Sequence, residues 1–539
     1  MKKAGTIALV ILACALAVAA GEPGNETQLG RVDFPTSGKP AAQEHFLRGV
    51  LWLHSFEYRD ALAEFRRAQE LDPDFALAYW GEAMAYNHPL WAEQDDEAAR
   101  KALEKLGATA EARLGKAPTE REKGFLRAVE ILYGEGEKYD RDRAYAAAMR
   151  KLYQQFPDDL EVASFYALSE LGSVSERDFA TYMRAAAVAE WVFAKNPSHP
   201  GAAHYLIHSY DDPVHAPLGL RAARVYSKIA PAAVHALHMP SHIFLALGLW
   251  EDVTASNRAS WEASVAHGGA SYHALQWLAY SYLQQGRYRE ARKLLERMEA
   301  DARAKSGGQT GWHWAAMRAA YIVETRQWDE PALRVELDTS GVREIAAPGA
   351  DLFARGLAAL KSGDRARTET LLAEMKALRS QASAAAGTES GHSHWAMQVS
   401  PAGLKTVAIL EQELEALLQL ADGKAAEAVR TLEAAAAAEE AMSFEFGPPA
   451  VVKPTRELLG EVLLEQGKAE EAQRAFERAL ARGPRRGLSL LGLARASRQA
   501  GDAETAERAY AELRQIWQQA DADLPELAEV RLPATRAGQ

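Results

Sequence analysis

HPGAAHYLIHSYDDP (residues 199–213) and HALHMPSH (235–242) are the segments whose spacing decides the fold. Together they hold His199, His204, His208, His215, His235, His238 and His242, seven of the fifteen histidines in the chain. His204 and His208 are four residues apart, and so are His238 and His242. The second pair follows the first by 34 residues. That is the period of a helix-turn-helix repeat. Residues four apart share one helix face. Each of two successive repeats therefore presents two imidazoles in equivalent places.

The same period is found at both ends of the chain. In EHFLRGVLWLHSFEYRDALAEFRRAQELDP (44–73), Gly49, Tyr58, Ala61, Phe65, Ala68 and Pro73 fall where a tetratricopeptide repeat places its small and aromatic residues. The pattern returns as Gly460, Gly467, Ala472, Phe476, Ala479 and Pro484, then as Gly501, Ala506 and Tyr510. Small residues let antiparallel helices approach closely, and aromatics fill the gap between them. Looser copies turn at Gly248, Gly286 and Gly423, and Gln327-Trp328 marks a turn without glycine. The expected fold is all-α: a right-handed superhelical solenoid of tetratricopeptide-type hairpins, each burying its faces on its neighbours. Residues 41–404 form the N-terminal and central solenoid with a histidine-lined groove, and 405–520 form C-terminal repeats. Residues 105–145, 380–400 (with His392 and His394) and 433–452 break the rhythm.

Composition agrees with a helical, folded chain. Of the 539 residues, 48% are hydrophobic and 25% charged, with Ala, Leu, Glu and Arg dominant. A net charge of −12 gives no reason to expect nucleic-acid binding. Residues 1–20 read as a signal peptide: Lys2 and Lys3, an apolar run from Ile7 to Leu16, and small residues at Ala17-Val18-Ala19-Ala20. The expected location is periplasmic or extracellular, with no membrane span beyond the leader. Residues 21–40 read as a flexible linker and 521–539 as a tail. Cys14, the only cysteine, lies inside the leader, and the apolar residues after it make a poor lipoprotein cleavage site. The chain beyond residue 20 thus has no thiolate to offer a metal, leaving His, Asp, Glu, Met or backbone groups.

Within a 34-residue frame, His204 and His208 take positions 5 and 9, as do His238 and His242 in the next repeat. His235 takes position 2, and His273 and His313 fall near position 2 of later repeats. Asp211 and Asp212 take positions 12 and 13, and His54 and His88 take position 13 of the first two repeats. These positions form one stripe on the first helix of each hairpin. Imidazoles at i and i+4 chelate an ion from one helix face, as in zincin helices. Neighbouring helices roughly 8–10 Å apart bring two such pairs within reach of a shared volume. The candidate metal ligands are therefore His54, His88, His204, His208, His238 and His242. Asp211, Asp212, His235, His273, His313, Tyr205 and Tyr210 are supporting candidates. Pro240 fits a helix start, which puts His238 in the capping turn. His45, His199, His267 and His392 read as ordinary solvated or hydrogen-bonded side chains, and His215 as a structural loop residue.

The chain resembles a family of exported bacterial tetratricopeptide-repeat proteins. The resemblance rests on HSFEY (54–58), WGEAMAYNHPLW (80–91), HPGAAHYLIHSYDDP (199–213), HALHMPSHIFLALGLW (235–250) and FGPPAVVKPTRELLGE (446–461). It implies a helical solenoid outside the cytoplasm. It also implies His54, His88, His204, His208, His238 and His242 as shared histidines, with no established activity.

Three functions compete at this point. The first is transition-metal binding, with copper, zinc and iron all accepting imidazole; Met239 and Met397 near histidines lean toward copper. The second is a metalloenzyme with an open coordination position, for which Asp211, Asp212, Tyr205 and Tyr210 are the nearest acid–base groups. The third is a scaffold binding a peptide or protein partner in the groove without metal.

Overall fold

The computed structural model describes residues 28–305, 308–336, 342, 344–386, 400–444 and 446–531. Residues 1–20, read from the sequence as a signal peptide, and His392, His394 and Met397 lie outside the described residues. The described residues from Pro40 to Arg531 are a succession of helices, each packed against its neighbours in sequence. Only a two-residue hairpin, Asn87–His88 with Glu93–Gln94, adds strand among the described residues. This is the tetratricopeptide-type all-α solenoid that the period dictates. No described helix is long and apolar enough to cross a membrane.

The repeat glycines act as the spacing requires. Gly49 and Gly81, from successive repeats, both lie flat against the Phe65 ring, and a Cβ on either would overlap it. Gly460 and Gly492 enclose Phe476 in the same way near the other end. Most interhelical turns use a left-handed residue. Gly286, Gly423, Gly467 and Gly501 supply it at φ +66°, +74°, +76° and +83°. Phe56 and Arg326 adopt it without being glycine, at φ 57° and 56°. A bulky residue is strained there, and such strain collects at functional sites.

Part of the segment read as a linker is tied down. Residues 28–39 run extended across the hairpin ends. The Ala232 N–H donates to the Gln28 carbonyl, and the Arg31 N–H to that of Ser198. Phe34 is buried among Phe46, Trp80, Phe125 and Phe165. Leu29 is buried as well, and Arg121 and Asn196 donate to the Pro35 and Arg31 carbonyls. At the other end, Asp521 N–H donates to the Gly286 carbonyl, and the short helix Leu527–Arg531 buries Val530.

The array turns back on itself. Trp250 Nε1 donates to the Arg485 carbonyl at 2.8 Å, and Gly487 N–H to Gln284 Oε1 at 2.9 Å. Trp517 Nε1 donates to the Gln284 carbonyl at 3.0 Å. Arg486 is buried at this seam between Glu324 (2.6 Å) and Glu457 (2.8 Å), and it donates to the Tyr280 hydroxyl. Buried charges need such complete pairing to offset their lost hydration. The C-terminal repeats thereby carry the excursion near residue 446 over the central groove.

Candidate metal centre

Three helical segments carry the central histidines: Pro200–Ser209, Val234–His238 with Pro240–Ala246, and Tyr272–Gln284. Pro240 has no N–H to continue the preceding helix, so the second segment breaks at Met239 and restarts. His238 is the last residue before the break, and His242 the third after the restart. The break lets two residues of one stripe aim their rings at one point.

That point is tightly specified. Asn257 Nδ2 donates to the Val253 carbonyl, which turns its Oδ1 toward His238 Nδ1 at 2.6 Å. His238 Nδ1 must therefore carry the proton. His242 Nδ1 lies 2.5 Å from Asp211 Oδ2, a carboxylate oxygen, and must donate as well. Each ring then presents a bare lone pair at Nε2, and the two Nε2 atoms are 3.1 Å apart. Two facing lone pairs repel unless something positive lies between them.

One period earlier the same spacing recurs, with only one of the two rings fixed by an acceptor. His204 Nδ1 donates to the His54 backbone carbonyl at 2.7 Å, which leaves its Nε2 bare. His208 Nε2 lies 3.1 Å from it. His208 Nδ1 is buried with no hydrogen-bond partner. A third imidazole joins each pair from the following helix, His235 beside His204 and His208, and His273 beside His238 and His242. Within each triple the ligand atoms lie within 4.8 Å of one another. The paired histidines are buried, whereas His235 is half-buried and His273 exposed. His235 Nε2 is buried and unpartnered.

The distance suits a shared ion. Two nitrogens 3.1 Å apart, each about 2.05 Å from one ion, subtend about 98° at it, between square and tetrahedral values. The groups behind the rings are the usual supports of metal-binding histidines: a carbonyl, an amide oxygen and a carboxylate. Burial pushes His204 down to about 3, and His208, His235 and His238 well below the ordinary imidazole range. These rings are neutral at pH 7, the state in which imidazole ligates.

Another cluster provides a contrast. His54, Glu161 and His199 are fully buried. His199 Nδ1 accepts from the Ala202 N–H, so its Nε2 donates to Glu161 Oε1 at 3.0 Å. His54 Nε2 donates to Glu161 Oε2 at 2.8 Å, and its Nδ1 accepts from the Tyr205 hydroxyl at 2.7 Å. Every ring nitrogen here has a hydrogen-bond partner with a matching role. This network is closed, and it holds the His54 carbonyl that orients His204. Burial would raise the Glu161 carboxyl, but the His199 and His54 rings hold it at about 2.

The remaining sequence candidates occupy surrounding positions. His88 stacks on Tyr58 at 3.9 Å between ring centroids, with Nδ1 3.4 Å from Glu93, and joins none of the three groups. Asp212 pairs with Arg177 and caps the turn at Val214 and His215. His313 Nδ1 lies 2.7 Å from Gln276 Oε1, and burial lowers this ring to about 4. Tyr205 serves His54, and burial raises the Tyr210 hydroxyl, beside Glu190 and Arg221.

Several site residues carry no histidine signal. Phe56, in its strained turn, places its ring 4.2 Å from His204 and 5.7 Å from His235. Trp277 lies 4.5 Å from His242. Phe446, from the C-terminal excursion, sits 6.3 Å from His208 and 6.5 Å from His242. Behind Asp211 opens a pocket of about 120 Å³ whose lining includes Trp250, Tyr280, Phe444 and Arg482. In the sequence, HSFEY carries Phe56, the FGPP block Phe446, and Trp250 and Trp277 read as residues filling gaps between helices.

No family model matches the chain, and no curated protein matches it. Solved structures do resemble it. The human IFIT1 dimer with m7Gppp-AAAA is 13% identical, over 90% of this chain and 91% of that one, at a TM-score of 0.34. Yeast Tom70 is 14% identical, over 89% and 94%, at 0.28. Both likenesses concern the helical-repeat fold alone.

Proposed function

We propose that this protein binds a transition-metal ion through the histidine cluster of its concave groove. One observation carries the reading: His238 and His242 face each other Nε2 to Nε2 at 3.1 Å, with both Nδ1 atoms already committed to oxygen acceptors. In the His54–Glu161–His199 group, by contrast, each ring nitrogen already has a hydrogen-bond partner within the protein. The proposed ligands are His204, His208 and His235 in one triple, and His238, His242 and His273 in the other. His54, Asp211 and Asn257 orient them. His88 and His313 lie outside this set. When bound, the ion supplies a Lewis-acidic or redox-active centre inside the groove. Phe56, Trp277 and Phe446 wall that centre with apolar surface. Export through the leader belongs to the same proposal.

Metal content tests it. Protein purified without an affinity tag, stripped with chelator and reloaded, should retain at least one equivalent of copper, zinc or iron. The double variant His238→Ala/His242→Ala should lose ion from that triple while keeping its helical circular dichroism. Uptake below one equivalent by the folded parent chain contradicts the proposal and leaves a metal-free scaffold.

A further inference from the structure

The repeat duplicates the whole ligand set. Each triple takes two imidazoles from positions 5 and 9 of one repeat and a third from position 2 of the next. Both i,i+4 pairs close to the same 3.1 Å. Counted from the turn glycines Gly248 and Gly286, the third copy lies 38 rather than 34 residues on, and there positions 5 and 9 are Gln276 and Tyr280. Gln276 hydrogen-bonds His313, which stands near position 2 of the copy after it. The ligand pattern is thus complete in two copies and replaced in the third.

The two complete triples are neighbours. His208 and His242 rings are 5.8 Å apart between centroids, and His235 and His238 rings 6.1 Å. Ions held on facing nitrogens of such rings would sit close together. We propose, building on the metal reading above, that the two triples hold a pair of copper ions, one in each.

The donor set points to copper. All six ligands are imidazoles, which bind a metal as uncharged donors. Asp211 stands behind His242, and neither triple includes a carboxylate or thiolate. Such a set does nothing to cancel the mutual repulsion of two cations. Repulsion scales with the product of the charges, so it is fourfold smaller for two monovalent ions than for two divalent ions at the same distance. Copper is the first-row metal among the three candidates that is readily monovalent. In its divalent state it also stands highest in affinity for nitrogen sites. Three ligands per ion leave a coordination position open on each. His273 is exposed and His235 partly so, whereas the other four rings are buried.

The test uses the full chain, stripped of metal and titrated with Cu(I) under argon, with bound copper counted by native mass spectrometry. The parent chain should take two copper ions. His273→Ala and His235→Ala should each take one, a twofold drop. After oxidation, two Cu(II) ions this close couple magnetically, so the integrated spin signal of the parent should fall well below its copper content. Each single variant should instead show one spin per copper. Should a variant fail to fold, the parent's stoichiometry and spin count still decide. One copper per parent chain with a full isolated-ion spectrum overturns the pair and leaves the single-site reading standing. No bound ion of any kind overturns both. Two zinc ions retained against equimolar copper overturn the metal assignment.

Discussion

Replacing Glu161 with glutamine separates the closed histidine network from the open one. The carboxylate accepts from two imidazoles at 2.8 and 3.0 Å and has no exposed surface. Its carboxyl is held at about 2 in the folded protein, against an ordinary value of 4.5. A carboxyl lowered on folding stabilises the fold above its unfolded value, and that contribution is lost as the pH falls through the folded one. The gap of about 2.5 pH units, at about 1.4 kcal/mol each, is worth about 3 kcal/mol. Glu161→Gln should cost about that much at pH 7 and little near pH 2, where the parent carboxyl is itself protonated. Glu161→Ala should cost about 3–5 kcal/mol, because it leaves two buried imidazole N–H groups unmet. A solenoid does not unfold as a single unit, so the stability should be read locally. Hydrogen exchange of helix Leu160–Gly172, followed from pH 7 downward, gives it. Parallel acid limbs in parent and Glu161→Gln would refute the linkage. Loss of a full metal equivalent from folded Glu161→Ala would show that the network is itself a ligand set.

Three further outcomes follow from the same geometry. Asp211→Ala removes the acceptor behind His242 and should weaken one ion by about 10–100-fold in a chelator competition, with full stoichiometry regained at high metal; unchanged affinity would remove Asp211 from the site. His88→Ala unstacks a ring from Tyr58 and should leave metal content unaltered; lost metal would return His88 to the ligands. Gly492→Ala drives a methyl into the Phe476 ring and should lower stability by about 1–3 kcal/mol, read as an earlier urea transition; an unchanged transition would mean the ring moves freely.

The fold was legible because a 34-residue period imposes one local geometry many times. Gly49, Phe65 and Gly81 make the same contact as Gly460, Phe476 and Gly492. The paired histidines were legible for the same reason. What the period does not encode is how far the superhelix curls. Position 13 placed His54 and His88 on the groove stripe, yet the His54 ring turns to Glu161 and only its carbonyl reaches His204. His88 falls in a two-residue hairpin that interrupts the second repeat. His199 looked ordinary because its partner Glu161 is 38 residues away in another helix. His235 and His273 were placed only as supporting residues, since a third ligand comes from the neighbouring repeat and depends on how the helices stack. Phe446 reaches the site through a return of the chain that no local pattern records.

Anomalous diffraction from crystals of metal-loaded protein, measured on both sides of the metal absorption edge, addresses the central claim most directly. We predict a peak about 2.0–2.1 Å from both His238 Nε2 and His242 Nε2, with a second at the His204–His208 pair if the centre is dinuclear. A map with no peak between His238 and His242, or with its only peak at His54, Glu161 and His199, would contradict the account.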